Sequence, residues 1–284
     1  MSLTIAIIAP GEMGSAVGRT LREGGARILT SLVGRSNASI ARAERAGFAI
    51  VESDDRLIDG TDILLSIVPP GQALGVAERF APALARAKAK PIVVDCNAVA
   101  PATAVGIGAA LAPTGVRYVD AGIIGPPPAA GSRTVFYVSG EHARDVLLLN
   151  DFGLLVRALE GPVGAASALK MSYAGITKGL TAVGSAMMLG AERAGAAQAL
   201  KRELGESQPH LLAYLTKHVP AMFPKAYRWV AEMEEIAQFL AADPAAPQIY
   251  AAMARLYARF AEAAAMPDEG ELGVLAQFCR EAKG

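Results

Sequence analysis

The sequence predicts an α/β fold: a doubly wound, mostly parallel sheet, followed by an all-α C-terminal domain joined to it by a long helix. Three observations carry this. Leu3 to Ala9 is a short apolar, partly β-branched run, of the kind buried on both faces in a parallel sheet. Further runs of that kind alternate with helix-period segments through the first half. From Ala165 onward the pattern is helical, and prolines punctuate it after Leu200. At 284 residues the chain is long for one core, so two domains are expected, 1–160 and 161–284.

The first run stops at the turn signal Pro10-Gly11, and small and apolar residues then recur at helical spacing from Met13 through Ala16, Val17 and Leu21. Strand, tight glycine turn and helix, in that order, suit a dinucleotide pyrophosphate. The helix N-terminus offers unpaired backbone N–H groups and a partial positive charge. Glycine lets the backbone approach the phosphates without a Cβ in the way. The usual G-x-G-x-x-G reads here as Ala9-Pro10-Gly11-Glu12-Met13-Gly14, with Ala9 in place of the first glycine. The expectation is a Rossmann-type NAD(P)-binding domain, with Pro10, Gly11, Glu12, Met13 and Gly14 against the cofactor.

Arg27 to Val33 reads as the second strand and ends in Gly34-Arg35-Ser36-Asn37. An NAD site usually carries an acidic residue about 20 residues beyond the glycine turn, for the ribose 2′-hydroxyl. Here Arg35 and Ser36 stand there instead, a cation and a hydroxyl suited to a 2′-phosphate, or else a solvated loop. NADP is therefore expected as the cofactor, with NAD possible. Ser39 to Ala46 has helical spacing and Ala49 to Val51 reads as a short strand. Asp62 to Val68 is another buried strand, and Val68 and Pro69 at its carboxyl end would border the cofactor. Ala73 to Ala87 is a helix and Pro91 to Asp95 a strand. Asn97 lies just beyond that strand, either to reach substrate or nicotinamide or to form the turn. Arg117 to Val119 begins a strand leading to Asp120-Ala121-Gly122-Ile123-Ile124-Gly125, Thr134 to Ser139 alternates like a late strand, and Asp145 to Leu155 is expected to be a helix.

Four motifs, in order, resemble the β-hydroxyacid dehydrogenases, the family of 3-hydroxyisobutyrate dehydrogenase and 6-phosphogluconate dehydrogenase. They are Gly11-Glu12-Met13-Gly14; Val94-Asp95-Cys96-Asn97-Ala98-Val99-Ala100-Pro101, similar to D-x-S-T-x-x-P; Asp120 to Gly125, similar to D-A-P-V-S-G; and Gly161-Pro162-Val163-Gly164 ahead of Leu169-Lys170-Met171, similar to G-x-x-G before K-L-x-N-N. The resemblance implies that Lys170 is the catalytic acid/base and that Asn97 and Gly125 border the substrate. This sequence departs from the family pattern at Ile124, where the family has serine, at Pro126, where it has glycine, and at Ala174, where it has asparagine. The segment beyond Leu200 resembles a divergent phosphogluconate-dehydrogenase-like C-terminal domain.

Ala165 to Ala194 reads as one long helix of mainly small residues. Tyr173, Ala174 and Thr177 fall on the same face as Lys170, and Tyr173 could orient substrate or simply pack. Proton exchange on the substrate oxygen during hydride transfer is work that one positioned amine performs. Without its neighbouring motifs, Lys170 would read as a snorkelling surface lysine. His142, His210 and His218 lack metal partners at helical spacing, so no metal is expected. In the C-terminal half, Pro209, Pro220, Pro224, Pro244, Pro247 and Pro267 are expected to separate helices. Two apolar stripes, from Tyr227 to Leu240 and from Ile249 to Phe260, are expected to be core or subunit interface, and a homodimer covering the long helix follows from so much apolar surface.

Lysine and arginine number 27, as do aspartate and glutamate, so there is no basic field for nucleic acid. No basic run precedes an apolar leader, and Gly179 to Ala191 is too short to span a membrane. Cys96 and Cys279 are far apart and read as reduced thiols, the expectation for a cytoplasmic protein. The activity expected is an NADP-dependent dehydrogenase or reductase acting on a small-molecule substrate. The alternatives are an imine reductase on the same scaffold, against which the lysine argues, or a non-catalytic NADP-binding sensor.

Overall fold

The computed structural model describes residues 3–32, 36–264 and 270–280. Two compact units divide the chain, Met1–Met171 and Ser172–Gly284.

The first unit opens with β1 (Thr4–Ile8), α1 (Glu12–Glu23), β2 (Arg27–Ser31), α2 (Asn37–Arg45), β3 (Ala49–Val51) and α3 (Asp54–Asp59). It continues with β4 (Ile63–Ser66), α4 (Ala73–Arg86), β5 (Ile92–Asp95), α5 (Pro101–Leu111), β6 (Arg117–Ile124), β7 (Val135–Ser139) and β8 (Leu155–Ala158). The eight strands form one sheet in the order β3-β2-β1-β4-β5-β6-β7-β8. All neighbours are parallel except β6 and β7, which pair antiparallel. The order reverses between β1 and β4, the switch point at which doubly wound sheets bind ligands.

Alternation along the strands explains why the sheet is covered on both faces. Ile5 and Ile7 of β1 pack with Val17 and Leu21 of α1, whereas Ala6 and Ile8 join Phe80 of α4 and Ile107 of α5. Gly18 permits the first contact: a Cβ there would overlap the Phe48 ring and the Ile7 side chain.

Three sequence expectations are corrected in this unit. The second strand ends at Ser31, short of the expected Val33, which lies outside the described residues. The helix expected over Asp145 to Leu155 is instead a run of 3₁₀ turns, Ala143–Phe152, and Leu155 opens β8. Gly153 (φ +89°) stops the turns, and the Asn150 side chain carries the chain across. Its amide donates to the Leu147 carbonyl (2.7 Å) and accepts from the Val156 N–H (2.9 Å), an arrangement open to Asn but not to an apolar helix former. The sequence reading also left α5 out. That helix contains Gly106 and Gly108 and has no side-chain cap, and its boundary signals, Pro101 in the first turn and Pro113 with Gly115 beyond the end, were passed over. A Cβ on Gly108 would stand 3.0 Å from the Tyr118 ring, so packing against β6 accounts for that glycine.

The long helix, α6 (Ala165–Arg193), begins in the first unit and ends in the second. The second unit adds α7 (Ala197–Ser207), α8 (Pro209–Met222), α9 (Ala226–Phe239), α10 (Ala246–Ala263) and α11 (Glu271–Arg280). The small residues of α6 allow close packing: a Cβ on Gly175 would be 3.0 Å from the Tyr250 hydroxyl, and one on Gly184 would overlap Leu215. Met222, Met233, Ile236, Tyr257, Phe260 and Leu275 form the buried interior of this unit. Pro209 and Pro247 occupy first-turn positions, where the missing N–H has no helical partner to lose. Pro220 does not end a helix as expected. It sits in the last turn of α8, and the chain continues through the 3₁₀ turn Phe223–Lys225. Near a helix end, proline forfeits one hydrogen bond without interrupting a long ladder. Pro267 lies outside the described residues. Of the two apolar stripes, Tyr227 and Ile249 stand exposed and are not core.

Cys96 and Cys279 are both buried free thiols, and burial pushes both thiols up, Cys279 to about 11. Among the described residues no helix is long and apolar enough to cross a membrane.

Candidate cofactor and lysine site

The turn between β1 and α1 has the features a pyrophosphate requires. Ala9 adopts a left-handed backbone (φ +64°), the conformation for which glycine is the usual choice. Its carbonyl accepts from the Gly11 N–H at 2.7 Å, closing the turn. A Cβ on Gly14 would lie 2.6 Å from that same carbonyl, so Gly14 is required for the turn to pack on the helix. A Cβ on Gly11 would meet nothing nearer than 4.0 Å, which leaves that side open for a ligand to approach. No side-chain hydrogen bond caps α1 at its N-cap, Gly11. Pro10 and Gly14 are buried, Gly11 and Met13 half-buried, and Glu12 exposed. An uncapped helix start with a clear glycine edge fits a dinucleotide pyrophosphate.

At the next position, Arg35 lies outside the described residues. Ser36 N-caps α2, accepting from the Ser39 N–H at 3.4 Å. Arg42 on the same helix donates from Nε to the Pro10 carbonyl at 3.0 Å and from Nη2 to Ser39 Oγ at 3.1 Å, tying α2 to the glycine turn.

Beyond β4 and β5, Val68 and Asn97 are both buried, while Pro69 is exposed. Asn97 accepts from the Val68 N–H at 2.6 Å and donates to Ser66 Oγ at 3.0 Å and to Asp95 Oδ1. Both amide hydrogens are therefore committed inside the protein, and the residue clamps the two strand ends together. Asp95, whose register partner is Asp120 on β6, is almost fully buried with Oδ2 unpartnered. Burial first, and the Asp120 carboxylate second, push its carboxyl up to about 7 against the hydrogen bonds from Asn97 and Ser66.

Asp120 organises the start of α6. It is fully buried, and its Oδ2 accepts from Ser139 Oγ (2.9 Å), the Gly164 N–H (2.9 Å) and the Ser167 N–H (3.1 Å). Its Oδ1 accepts from Ser167 Oγ at 2.6 Å, while Ser139 Oγ also accepts from the Ala166 N–H at 3.0 Å. A carboxylate at a helix N-terminus satisfies orphan donors and meets the positive end of the dipole. Two residues along β6, Gly122 presses on the helix: a Cβ there would lie 2.7 Å from the Ala166 carbonyl and 2.9 Å from Lys170 Cβ. Lys170 is half-buried, with its Cβ against Gly122.

Gly125 (φ +134°) is exposed at the start of the β6–β7 connection, its backbone against Arg133 and Thr134. Tyr173, one helical turn beyond Lys170, is 50% exposed and belongs to the second unit. Lys178 pairs with Glu232 and lies 5.0 Å from the Trp229 ring centre, a packing role. His218 stacks on Tyr214 with ring centres 4.2 Å apart, and burial, with Lys217 nearby, lowers its proton affinity. No cluster of metal-binding side chains exists among the described residues.

Sequence reasoning missed Ser66, Ser139, Ser167 and Arg42, and gave Asp95 and Asp120 no role of their own. The two aspartates did leave a signal: each sits within an apolar strand run, where an acid requires partners. The serines leave none, because their partners come from distant segments.

Residues 4–147 match the family described as the NAD binding domain of 6-phosphogluconate dehydrogenase, and residues 191–260 match a domain of unknown function (DUF1932). The 3-hydroxyisobutyrate dehydrogenase of Pseudomonas aeruginosa is 26% identical over 139 residues, which covers 48% of this chain and 45% of that one. A conserved protein of unknown function, described as structurally similar to 3-hydroxyacid dehydrogenases, superposes with a TM-score of 0.72 at 27% identity, covering 93% of this chain and 98% of its own. The Mycobacterium tuberculosis 3-hydroxyisobutyrate dehydrogenase, solved with L-serine, shares the fold over 100% of both chains, with a TM-score of 0.75 at 20% identity.

Proposed function

This chain belongs to the family of the 6-phosphogluconate dehydrogenase NAD binding domain, as a divergent β-hydroxyacid dehydrogenase-like member, and from that premise we propose that it is an NADP-dependent oxidoreductase. It interconverts a small hydroxy acid, or a related alcohol, and its carbonyl, with Lys170 as acid/base. The observation that carries this reading is the anchorage of Lys170: the stem is seated against Gly122, and the helix bearing it is tied down by Asp120.

When bound, the nicotinamide accepts or supplies the hydride. The backbone N–H groups at the start of α1 hold the pyrophosphate, and Gly11 leaves room for it. Asn97 fixes Val68, and with it Pro69, at the cofactor's border. The Lys170 Nζ takes the proton from the substrate hydroxyl in oxidation and returns it to the carbonyl oxygen in reduction. The Gly125 backbone borders the substrate. Ile124, half-buried at the end of β6 where the family has serine, directs the preference toward a less anionic substrate than a simple hydroxy acid.

The test is NADPH oxidation across a panel of small carbonyl compounds and cyclic imines, with NADPH binding measured in parallel. Turnover of a carbonyl supports the reading. Turnover of imines alone refutes the substrate class, and tight binding without any turnover replaces the enzyme with a nucleotide-binding sensor.

A homodimer is part of the same proposal. Ile176, Leu180, Val183 and Met187 stand exposed at alternating four- and three-residue spacing on α6, the repeat of a helix-pairing seam. The expected result is a dimer by light scattering that Leu180→Glu converts to monomer; a monomeric wild type refutes it.

A further inference from the structure

We propose that Asp95 is a positioning residue for the reaction: it holds the one proton that it shares with Asp120, and so leaves Asp120 ionised to bind N–H groups at the start of the helix that carries Lys170. The inference rests on the reading of Lys170 as the acid/base. It adds an alkaline limit to turnover that Lys170 does not set.

Four neighbouring strands place a polar residue in one row across the sheet. Ser66 is the register partner of Asp95, Asp95 of Asp120, and Asp120 of Ser139. Register partners share a face of the sheet, and all four are buried. Two carboxyl groups therefore stand side by side on β5 and β6, and like charges that close do not both ionise in a buried site. The donors decide which carboxyl keeps the proton. Asp120 receives four hydrogen bonds, two of them from the backbone N–H groups of Gly164 and Ser167, which can only donate. On Asp95, the Asn97 amide reaches Oδ1, and Oδ2 has no hydrogen-bond partner among the described residues. The charge belongs with the four donors, and the proton with Asp95.

The surroundings of Asp95 supply no counter-charge. Ala77, Phe80 and Leu84 of α4 and Ile107 of α5 border it around a cavity of about 20 Å³. The titratable groups that act on it or feel it are Asp120, the adjoining Cys96 thiol and the Tyr118 hydroxyl. Burial pushes the thiol and the phenol up, so both stay neutral. Below about pH 7 Asp95 keeps its proton, and above it a second negative charge faces Asp120. Relief comes by protonating or displacing Asp120, and either change weakens the bonds to Gly164 and Ser167. Lys170 lies one helical turn beyond Ser167.

The experiment compares the full-length wild type with Asp95→Asn between about pH 6 and about pH 8.5, in two measurements. The first is the rate of carbonyl reduction by NADPH. A group titrating near 7 lowers the wild-type kcat by roughly 30-fold across that span, without a matching change in KM, and the variant loses this fall. An equal fall in both proteins assigns the limb to Lys170 and overturns the role of Asp95. The second is hydrogen exchange at the Gly164 and Ser167 amides, referred to the amides of β1. Raising the pH should cost the wild type roughly 10-fold in protection at those two amides relative to β1, and cost the variant nothing. An equal change in β1 reports a global loss of stability and overturns the proposal. Exchange needs no substrate, so a chain that turns over no carbonyl refutes the reaction while this measurement still decides the role of Asp95. If the variant does not fold, the wild type carries the test through its exchange and its infrared spectrum. That spectrum should lose one buried carboxylic-acid band as the pH rises, and a spectrum without such a band overturns the shared proton.

Discussion

Replacing Asp95 by Asn should remove a pH dependence of stability that this one carboxyl imposes. In the folded chain its carboxyl is pushed from the ordinary 3.8 up to about 7 by burial and by Asp120. A group that binds its proton more tightly in the folded state stabilises the fold fully below its unfolded value. That contribution is lost as pH rises through the folded value. The window therefore runs from about pH 4 to about pH 7. At 1.36 kcal/mol for each tenfold in proton affinity, the loss across it is about 4 kcal/mol. Asparagine keeps the size and a carbonyl acceptor for the Asn97 amide but has no proton to lose. The assay is urea unfolding of both proteins at several pH values, comparing the free-energy difference at each. That difference should move by about 4 kcal/mol in favour of the variant between pH 4 and pH 8. A difference that stays flat would mean that Asp95 is ionised in the native state, and the reasoning about the Asp95–Asp120 pair would fail.

Two further outcomes follow from the same site. Ala9→Gly relieves a left-handed alanine and should stabilise the fold by about 1 kcal/mol, measured by chemical denaturation, with NADPH affinity retained; a loss of stability would mean that the turn is not strained. Asp120→Asn turns an N–H₂ group toward donors that need an acceptor, and should cost about 2 to 4 kcal/mol in the same assay; an effect below 0.5 kcal/mol, roughly the level of a surface change, would remove Asp120 as the anchor of α6.

Most of the sheet was legible in the sequence because strands such as β1, β4 and β5 are nearly pure buried apolar runs, and a run such as Ile5 to Ile8 admits few other placements; β8, which carries Arg157 and is mostly exposed, was not. Gly11 and Gly14 were legible because glycine at a strand–helix turn has a specific steric purpose. Ala9 shows the limit of that argument: the left-handed backbone survives without its glycine, because the surrounding turn over-determines it. The α5 helix was passed over because Gly106 and Gly108 interrupt its pattern, and packing against Tyr118 accounts for Gly108. The 3₁₀ run before β8 depends on Asn150, a single side chain whose partners cannot be read from spacing. At the candidate site, motif order singled out Lys170 as a candidate, and the buried hydrogen bonds at the start of its helix left no signal in the sequence. Asp120, Ser139, Ser167 and Gly164 meet only after the strand order has brought β6, β7 and the start of α6 together.

The central claim is that the Lys170 amine moves the proton while the glycine turn of α1 holds the dinucleotide. Wild type and Lys170→Ala should be titrated with NADPH and assayed on the best carbonyl substrate found. The account predicts equal NADPH affinity and a carbonyl-reduction rate lower by roughly 10²- to 10⁴-fold in the variant. Equal rates in the two proteins would contradict it.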